Sequence, residues 1–270
     1  MASVMVRLYE EVRSNFRPAD RGHYIFTPRD LTKWTIGTMR HELTDESKVI
    51  EVVAFESRRI FMDKLATEEH AVKFEELLAY VIPAAQRGRD QLYVTTGTVV
   101  PSHNIVGLPL VPHSKRDYQS ILQKAVNRYE FEVANFSNAL TDEMCELCAR
   151  VDRALTAPGG SLLLAGRPGL GRADAIRLIA NMHQMALFTP KITPNYGQKQ
   201  FDLELKNVFQ DVCPPLFQTI QTAISNSEHV VFLLEDYKIL QPSFLESINC
   251  LISSGEVPGL FTPQVGILLL

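Results

Sequence analysis

The sequence has no strong excess of charge of either sign. Its 270 residues include 27 lysines and arginines against 31 aspartates and glutamates, which gives a formal net charge of −4. Such a balance provides no long-range attraction to nucleic acid or to an anionic membrane surface. We therefore expect no nucleic-acid partner.

The sequence also lacks long apolar runs. A purely apolar stretch such as residues 266–270 is far too short to span a bilayer. Residues 1–17 carry Arg7 and acidic side chains within their apolar stretch, and they show neither the basic flank nor the cleavage site of a signal peptide. We therefore expect a cytoplasmic chain without membrane insertion.

Cysteine is scarce, and it occurs only as Cys145, Cys148, Cys213 and Cys250. The first two have the C-x-x-C spacing of metal ligands, but no second pair completes a zinc site. The stretch around them has helical periodicity. We therefore interpret both as helix-packing residues, and we expect neither a metal site nor a disulfide.

Helical periodicity dominates residues 1–85, where three or four helices fit. Apolar residues recur on one helical face in two segments of this region. These segments contain Ile50, Val53, Ala54, Ser57, Phe61 and Leu65, and then Phe74, Leu77, Leu78, Val81 and Ile82. A helix is expected to begin at Thr27-Pro28-Arg29-Asp30, because Pro28 restricts the preceding residue and Asp30 places a negative charge near the helix N-terminus.

Residues 86–117 interrupt this periodicity with glycines and prolines, and only brief β-like runs such as residues 93–96 remain. The interruption predicts a long irregular connector. It is either a mobile insertion or the boundary between two units.

From residue 118 onward, a helical stretch to residue 155 is followed by short apolar runs that alternate with helices. The apolar runs cover residues 161–165, 185–189 and 229–234. The helix-like segments cover residues 173–184, 201–212, 216–226 and 243–253. Apolar strands separated by helices are typical of a parallel sheet covered on both faces, so this half is predicted to be α/β.

The first apolar run leads into a loop with the glycine spacing of the phosphate-binding motif G-x-x-x-x-G-K-[ST]. The loop consists of Gly166, Arg167, Pro168, Gly169, Leu170, Gly171, Arg172 and Ala173. Its backbone N–H groups and the following helix N-terminus could attract phosphate. Arg172 replaces the usual lysine, and Ala173 lacks the hydroxyl that would hold Mg²⁺. A tight glycine-rich turn between strand and helix is the alternative interpretation.

An acidic pair, Glu235 and Asp236, follows the third apolar run. Acidic residues at the carboxyl end of a strand beside a phosphate loop bind metal and activate water in ATPases. AAA+ ATPases carry Asp then Glu, whereas the order here is reversed. Each carboxylate is therefore one methylene too long or too short for its role. Because misplacement by about 1 Å can cost on the order of a hundredfold in rate, we expect no catalysis from this pair. Two carboxylates that merely end a strand at the solvent are the alternative.

Four segments resemble dynein heavy chains, and within them the fourth AAA+ module. These are GGSLLLAGRPGLGR (159–172), LFTPKI (187–192), VVFLLEDY (230–237) and FLESINCLISSGEVPGL (244–260). The arginine in the loop and the LLEDY sequence look most like the second cytoplasmic class, which powers retrograde intraflagellar transport in cilia. The resemblance implies a helical AAA+ lid over residues 1–117, with its connector at 86–117. An incomplete P-loop α/β/α sandwich over residues 118–270 would follow.

The N-terminal half resembles the lid of the third module through HYIFTPRD (23–30) and through the helix with Glu56, Arg58, Arg59 and Asp63. The resemblance implies that Arg29 contacts nucleotide bound to the preceding module. Without it, an arginine paired with Asp30 or solvated would be the default. The chain ends before a sensor strand, a second lid or a stalk, and residues 262–270 depart from the acidic helix that the resemblance implies there. We interpret this as a truncated gene model or an alternative end.

The resemblance therefore implies a motor-ring segment with a structural or regulatory site that binds ATP or ADP weakly and depends little on Mg²⁺. Implied partners are the rest of the heavy chain and, through the full-length chain, intermediate and light chains and microtubules. The implied locations are the cytoplasm, the cytoskeleton and the cilium. A non-catalytic interaction protein that binds no nucleotide is the alternative. A stand-alone kinase or GTPase would need the missing lysine and hydroxyl.

Overall fold

The computed structural model describes residues 2–83, 91–96, 106–212 and 229–260. The chain divides into two compact units, which we call the helical unit (Met1–Tyr118) and the α/β unit (Gln119–Leu270). No helix among the described residues is both long and apolar enough to cross a membrane.

The helical unit begins with four α-helices, as its periodicity predicts. They are α1 (Ala2–Asn15), α2 (Pro28–Thr38), α3 (Glu46–Ile60) and α4 (Glu68–Val81), with a short 3-10 helix at Met62–Lys64 before α4. Thr27 is the N-cap of α2, and its backbone N–H donates to the Asp30 carboxylate at 2.8 Å. The predicted helix start at residues 27–30 is therefore confirmed, because the proline and the capping carboxylate act together.

The core of this unit is rich in aromatic side chains. Trp34 is fully buried, donates from Nε1 to the Val53 carbonyl at 3.0 Å, and meets the Phe61 ring edge-on at 5.3 Å. The residues predicted for the two apolar faces are buried or half-buried against this core. Both faces are therefore confirmed.

The described parts of the predicted connector include a strand at the β-like run near residues 93–96, but they correct the expectation that the segment is otherwise irregular. Strands β1 (Gln91–Val94) and β2 (Val111–Ser114) pair antiparallel, with Tyr93 opposite Pro112. Strand β2 has only four residues and includes Pro112, so it shows little of the apolar–polar alternation by which a strand is predicted. Proline is nevertheless tolerated in a strand at the edge of a sheet. Tyr93 and Leu110 are buried together with Val52 of α3, so the hairpin adds a small core of its own.

Arg40 ties the approach to β2 to the residues that follow α2. Its guanidinium donates from Nε and Nη2 to the Leu108 carbonyl at 3.1 and 3.0 Å, and its own carbonyl accepts from the Leu110 N–H at 2.8 Å. These bonds provide partners for the Leu108 carbonyl, the Arg40 carbonyl and the Leu110 N–H, which lie outside the regular pairing of β1 and β2.

Along the chain, the α/β unit consists of helices with short strands between them. Helix α5 (Lys115–Glu132) starts in the helical unit and continues into this one, and then come α6 (Asp142–Leu155), α7 (Arg172–Met182), β3 (Ala186–Phe188), α8 (Gln198–Val212), β4 (Val230–Phe232), a 3-10 helix (Asp236–Lys238) and α9 (Pro242–Ser254). Strands β3 and β4 pair in parallel, with Leu187 opposite Val231. The α/β class is confirmed, and the predicted helix at 216–226 lies outside the described residues.

The core of the α/β unit centres on Phe201 of α8 and Phe244 of α9. Their rings stack with centroids 4.4 Å apart and planes 5° from parallel. Phe232 of β4 and Leu260 pack into the same cluster. This cluster attaches α8 and α9 to the sheet.

The predicted strand at residues 161–165 is wrong for this structure. The segment has no strand assignment, and Leu163 is 92% exposed. Its apolar composition indicated burial, but a strand also needs a neighbour to accept its backbone hydrogen bonds. Among the described residues, β3 and β4 pair only with each other in their sheet.

Cys145 and Cys148 lie on α6 with buried side chains, as the packing interpretation predicts. Burial, with smaller contributions from Cys145 and Asp152, raises the pKa of the Cys148 thiol to about 12. The Asp152 carboxylate is buried beside it and pairs with His183 at the end of α7. These contacts join α6 to α7.

Candidate functional site

The glycine loop connects the exposed residues 161–165 to α7. Gly166, Arg167, Pro168, Gly169 and Leu170 are all exposed. The helix then begins at Arg172, as the motif predicts, with Gly171 as its N-cap. The loop backbone is therefore open to solvent at a helix N-terminus, where N–H groups lack helical acceptors.

Gly171 is required both by its backbone and by its surroundings. Its φ of 68° lies in the left-handed region. A β-carbon at this position would collide with Met144 Cε and lie 3.0 Å from Asn138 Cγ. The start of α7 is thus packed directly against α6 and the segment that precedes it.

Arg172 turns back toward the loop. A β-carbon on Gly166 would lie 2.5 Å from Arg172 Nη1, so the guanidinium occupies the space that the glycine leaves. Within the described residues, this buried Nη1 atom has no hydrogen-bond partner. An unpaired buried N–H of a cation favours an anionic acceptor.

Ala173 and Asp174 form the first turn of α7. Ala173 offers no oxygen to a metal. The Asp174 carboxylate accepts from Asn138 Nδ2 and pairs with Arg177 Nη1 at 2.9 Å. A carboxylate in the first turn is stabilised by the helix dipole and would compete with a phosphate for that position.

Glu235 lies three residues after the end of β4, at the N-cap of the 3-10 helix. Its Oε1 lies 3.6 Å from Arg177 Nη2, and its Oε2 lies 3.3 Å from Lys238 Nζ. The Tyr237 hydroxyl donates to Oε2 at 2.8 Å. Two cations and a phenol therefore already surround this carboxylate.

Asp236 has a different environment from its neighbour. It is exposed at the start of the 3-10 helix, and its Oδ1 accepts from the Tyr237 backbone N–H at 2.9 Å. The hydrogen bond to Glu235 is the main cause that raises the pKa of the Tyr237 phenol. Glu235 faces cations while Asp236 faces solvent, so the two carboxylates do not converge on one point.

Arg177 and Lys238 are the residues that sequence reasoning missed. Arg177 bridges Asp174 and Glu235, and Lys238 also donates to Thr189 Oγ1 at 2.6 Å, just beyond β3. The spacing of three residues within each pair, Asp174 with Arg177 and Glu235 with Lys238, is the signal that could have found them. These contacts bring α7 and the carboxyl ends of both strands together.

Arg29 lies in the helical unit, on the first turn of α2. Its side chain is exposed and makes no hydrogen bond or ion pair within the part of the chain that the structure describes. Asp30 is instead buried and pairs with Lys64 Nζ at 2.7 Å. The alternative in which Arg29 pairs with Asp30 is therefore wrong.

Across the described residues, no group of three or more His, Cys, Asp or Glu side chains could hold a metal ion.

Comparison with known families matches two parts of the chain. Residues 138–265 match a family model described as the P-loop containing dynein motor region D4. Residues 1–71 match one described as the dynein heavy chain ATPase lid domain. The two matches fall on the two halves that carry the loop and Arg29.

Individual relatives align along almost the whole chain. Cytoplasmic dynein 2 heavy chain 1 of Caenorhabditis elegans is 48% identical over 98% of this chain, and that of Homo sapiens is 39% identical over 97%. A cytoplasmic dynein heavy chain of Fusarium vanettenii is 27% identical over 97%. The chain spans about 6% of the length of each of these relatives.

Proposed function

The chain belongs to the dynein heavy chain family, and from this premise we propose that its α/β unit carries a degenerate nucleotide site that binds ATP or ADP weakly and does not hydrolyse it. Within that family the chain is a segment of the motor region, with a helical lid followed by a P-loop region. The site acts as a structural or regulatory element of the ring.

The separation of the two carboxylates is the observation that carries this proposal. Hydrolysis requires one acidic group to hold the metal and another to position water near the transferred phosphate. Glu235 is paired with Arg177 and Lys238, and Asp236 is exposed and bonded to its own turn. Neither side chain is placed to act on the same water.

The glycine loop supports binding without catalysis. Its exposed backbone N–H groups and the Arg172 Nη1, which has no partner among the described residues, can donate hydrogen bonds to phosphate oxygens, whereas Ala173 removes a metal ligand. An arginine finger from a neighbouring module raises the rate by roughly 10³ to 10⁵ in related reactions. Such a finger would not replace the metal ligand missing at Ala173 or correct the positions of Glu235 and Asp236.

We propose the wider role from the names of the relatives. The relatives from Caenorhabditis elegans and Homo sapiens are both named cytoplasmic dynein 2 heavy chain 1. Together with the sequence resemblance to the second cytoplasmic class, these names support a proposed role in a microtubule motor of the cytoplasm and cilium that drives retrograde intraflagellar transport. The partners would be the rest of the heavy chain, together with intermediate and light chains. Microtubules would be reached only through the full-length chain.

We propose that Arg29 serves the nucleotide site of the preceding module. The supporting observation is its availability: it is exposed at the start of α2, while Lys64 neutralises Asp30 beside it. A guanidinium that has no partner among the described residues suits recognition of phosphate across an interface.

Two measurements on the purified chain test the proposed site. Titration with a fluorescent ATP analogue should show weak, saturable binding that Arg172→Ala reduces. Phosphate release should stay at background in both proteins. Turnover that Arg172→Ala abolishes would show a catalytic site and overturn the proposal.

One observation favours a second candidate, a non-catalytic interaction module that binds no nucleotide. The Arg172 guanidinium lies beside Gly166, inside the space that phosphate would approach. If it remains there, the titration will show no saturation with either protein. That result would select the second candidate over the first.

A further inference from the structure

We propose that Arg177 and Lys238 take the place of the divalent metal, so that the site accepts nucleotide phosphate without Mg²⁺. This inference rests on the proposed nucleotide site and adds to it the reason for metal independence. The two cations are fixed by the fold, and they neutralise the carboxylate that would otherwise hold the metal.

The family of P-loop ATPases implies Mg²⁺ at this position, but the residues present do not fit it. Mg²⁺ demands near-octahedral oxygen ligands and usually binds one or two carboxylates together with substrate phosphates. Ala173 supplies no hydroxyl, and Asp236 faces solvent. Glu235 is the remaining acidic ligand at the end of β4.

Both oxygens of Glu235 are already engaged. Arg177 lies 3.6 Å from Oε1, while Lys238 lies 3.3 Å from Oε2, which also accepts the Tyr237 hydroxyl at 2.8 Å. To bind Glu235, a metal ion would have to displace both cations and lose some of its own water ligands. The Lys238–Glu235 pair is sheltered, since the Lys238 side chain is 11% exposed and that of Glu235 is 18% exposed, whereas the Arg177 side chain is 33% exposed.

The surrounding charges also disfavour a divalent cation. Asp174, Glu235 and Asp236 carry three negative charges, and Arg172, Arg177 and Lys238 carry three positive charges, so these six side chains are neutral together. Arg167 adds a positive charge on the exposed loop. A neutral cluster beside a cation attracts phosphate rather than metal.

The position of Lys238 is set by contacts outside the acidic pair. Its Nζ donates to Thr189 Oγ1 at 2.6 Å, which holds the ammonium at the end of β3 while it pairs with Glu235 beyond β4. The lysine therefore cannot leave the site without breaking two contacts on two separate segments. A built-in cation of this kind is permanent, whereas Mg²⁺ would exchange.

Manganese binding tests the inference without nucleotide, because Mn²⁺ is a paramagnetic substitute for Mg²⁺. Electron paramagnetic resonance should detect no saturable Mn²⁺ site in the 270-residue chain. In the double variant Arg177→Gln, Lys238→Met, the Asp174 and Glu235 carboxylates both lose their cationic partners, so this variant should gain a weak site. Adding Glu235→Gln should remove that site again. Lys199→Met, at an exposed lysine of α8, is the matched control and should gain none.

Nucleotide titration provides the second measurement. The unmodified chain should bind the ATP analogue with the same affinity in Mg²⁺ and in chelator, within about twofold, whereas the double variant should bind about tenfold more tightly with Mg²⁺ than without it. Circular dichroism checks that each variant is folded. If the double variant does not fold, the unmodified chain and Glu235→Gln still decide the question.

Saturable Mn²⁺ binding to the unmodified chain that Glu235→Gln abolishes would overturn the inference. So would a tenfold loss of nucleotide affinity in chelator. If the chain binds no nucleotide under any condition, the proposed nucleotide site fails, and the inferred phosphate binding fails with it. Mn²⁺ binding to the double variant alone would still show that the two cations exclude the metal.

Discussion

The helical unit and the α/β unit use their buried charges differently. In the helical unit, ion pairs join separate segments: Asp30 with Lys64, His41 with Glu56, and Arg58 with Glu75. In the α/β unit, the buried Asp152 carboxylate pairs with His183 and joins α6 to α7, while a second, connected set of partly exposed pairs surrounds Glu235 at the end of one strand. These three pairs of the first unit join its segments, whereas the second unit also has a connected set of charges at the candidate site.

Both units join segments that are distant in sequence. In the helical unit, α1 and α4 pack into one aromatic core, and Arg40 bonds to the Leu108 carbonyl. The two paired strands of the α/β unit are separated by residues 189–229. Because long loops cost entropy to close, each unit depends on packing contacts between distant segments.

Among the substitutions that test this comparison, Trp34→Ala should have the largest effect on stability. It removes a fully buried indole and should destabilise the helical unit by about 4 kcal/mol. Hydrogen exchange should accelerate in α3 and remain unchanged in α9. The control is Met39→Ala on the exposed surface, which should shift stability by less than about 0.5 kcal/mol. Equal acceleration in α9 would contradict separate cores.

Replacement of Phe244 by Ala should have the converse effect in the α/β unit. Loss of the ring that stacks on Phe201 should cost about 3 kcal/mol and expose the amides of α9 to exchange. Trp34 is the chain's single tryptophan, so its fluorescence should stay native. Leu245→Ala, at a half-exposed neighbour, is the matched control. A change in Trp34 emission would mean that the two cores unfold together.

Two glycines of the loop allow backbone strain to be separated from contact. Both have positive φ, but a β-carbon on Gly169 meets nothing within 4 Å, whereas one on Gly171 meets Met144 and Asn138. Gly169→Ala should therefore cost about 1 kcal/mol and Gly171→Ala about 2 kcal/mol in thermal unfolding. In a Met144→Ala background, Gly171→Ala should cost less than it does in the unmodified chain, because the methyl group that it meets is gone. An equal cost in both backgrounds would contradict the clash.

Asp30→Asn should have an effect no larger than that of Gly169→Ala. The amide can still accept from the Thr27 N–H but loses the charge that pairs with Lys64, which is partly exposed, so the expected cost is about 1 kcal/mol. Urea unfolding at low and high salt measures it, since screening should narrow the gap from the unmodified chain. Glu42→Gln, on the surface, is the control. If the difference in stability between the two proteins does not change with salt, the cost comes from the N-cap hydrogen bond alone and not from the ion pair with Lys64.

Local signals in the sequence predicted the helices well. The start of α2 follows from Thr27, Pro28 and Asp30 within four residues, and the start of α7 follows from the glycine loop. Helical faces repeat every three or four residues, so a short window contains the evidence for burial. The aromatic core of the helical unit could be anticipated for the same reason.

Signals that depend on distant partners were missed or misinterpreted. Leu163 belongs to an apolar run that looks like a strand, but no local pattern shows whether a neighbouring strand will pair with it. Lys238 and Thr189 meet although 49 residues separate them. The hairpin was missed because Pro112 hides a strand of four residues. The roles of Glu235, Asp236 and the loop residues stay predictions.

The Asp30–Lys64 pair has a consequence for any encounter between Arg29 and a partner. The pair and the N-cap fix the first turn of α2, so the backbone that carries Arg29 is already ordered in the isolated chain. The entropy of ordering that turn is lost on folding and not on association. Only the rotamers of the arginine itself remain to be restricted, so preorganisation lowers the cost of recognition.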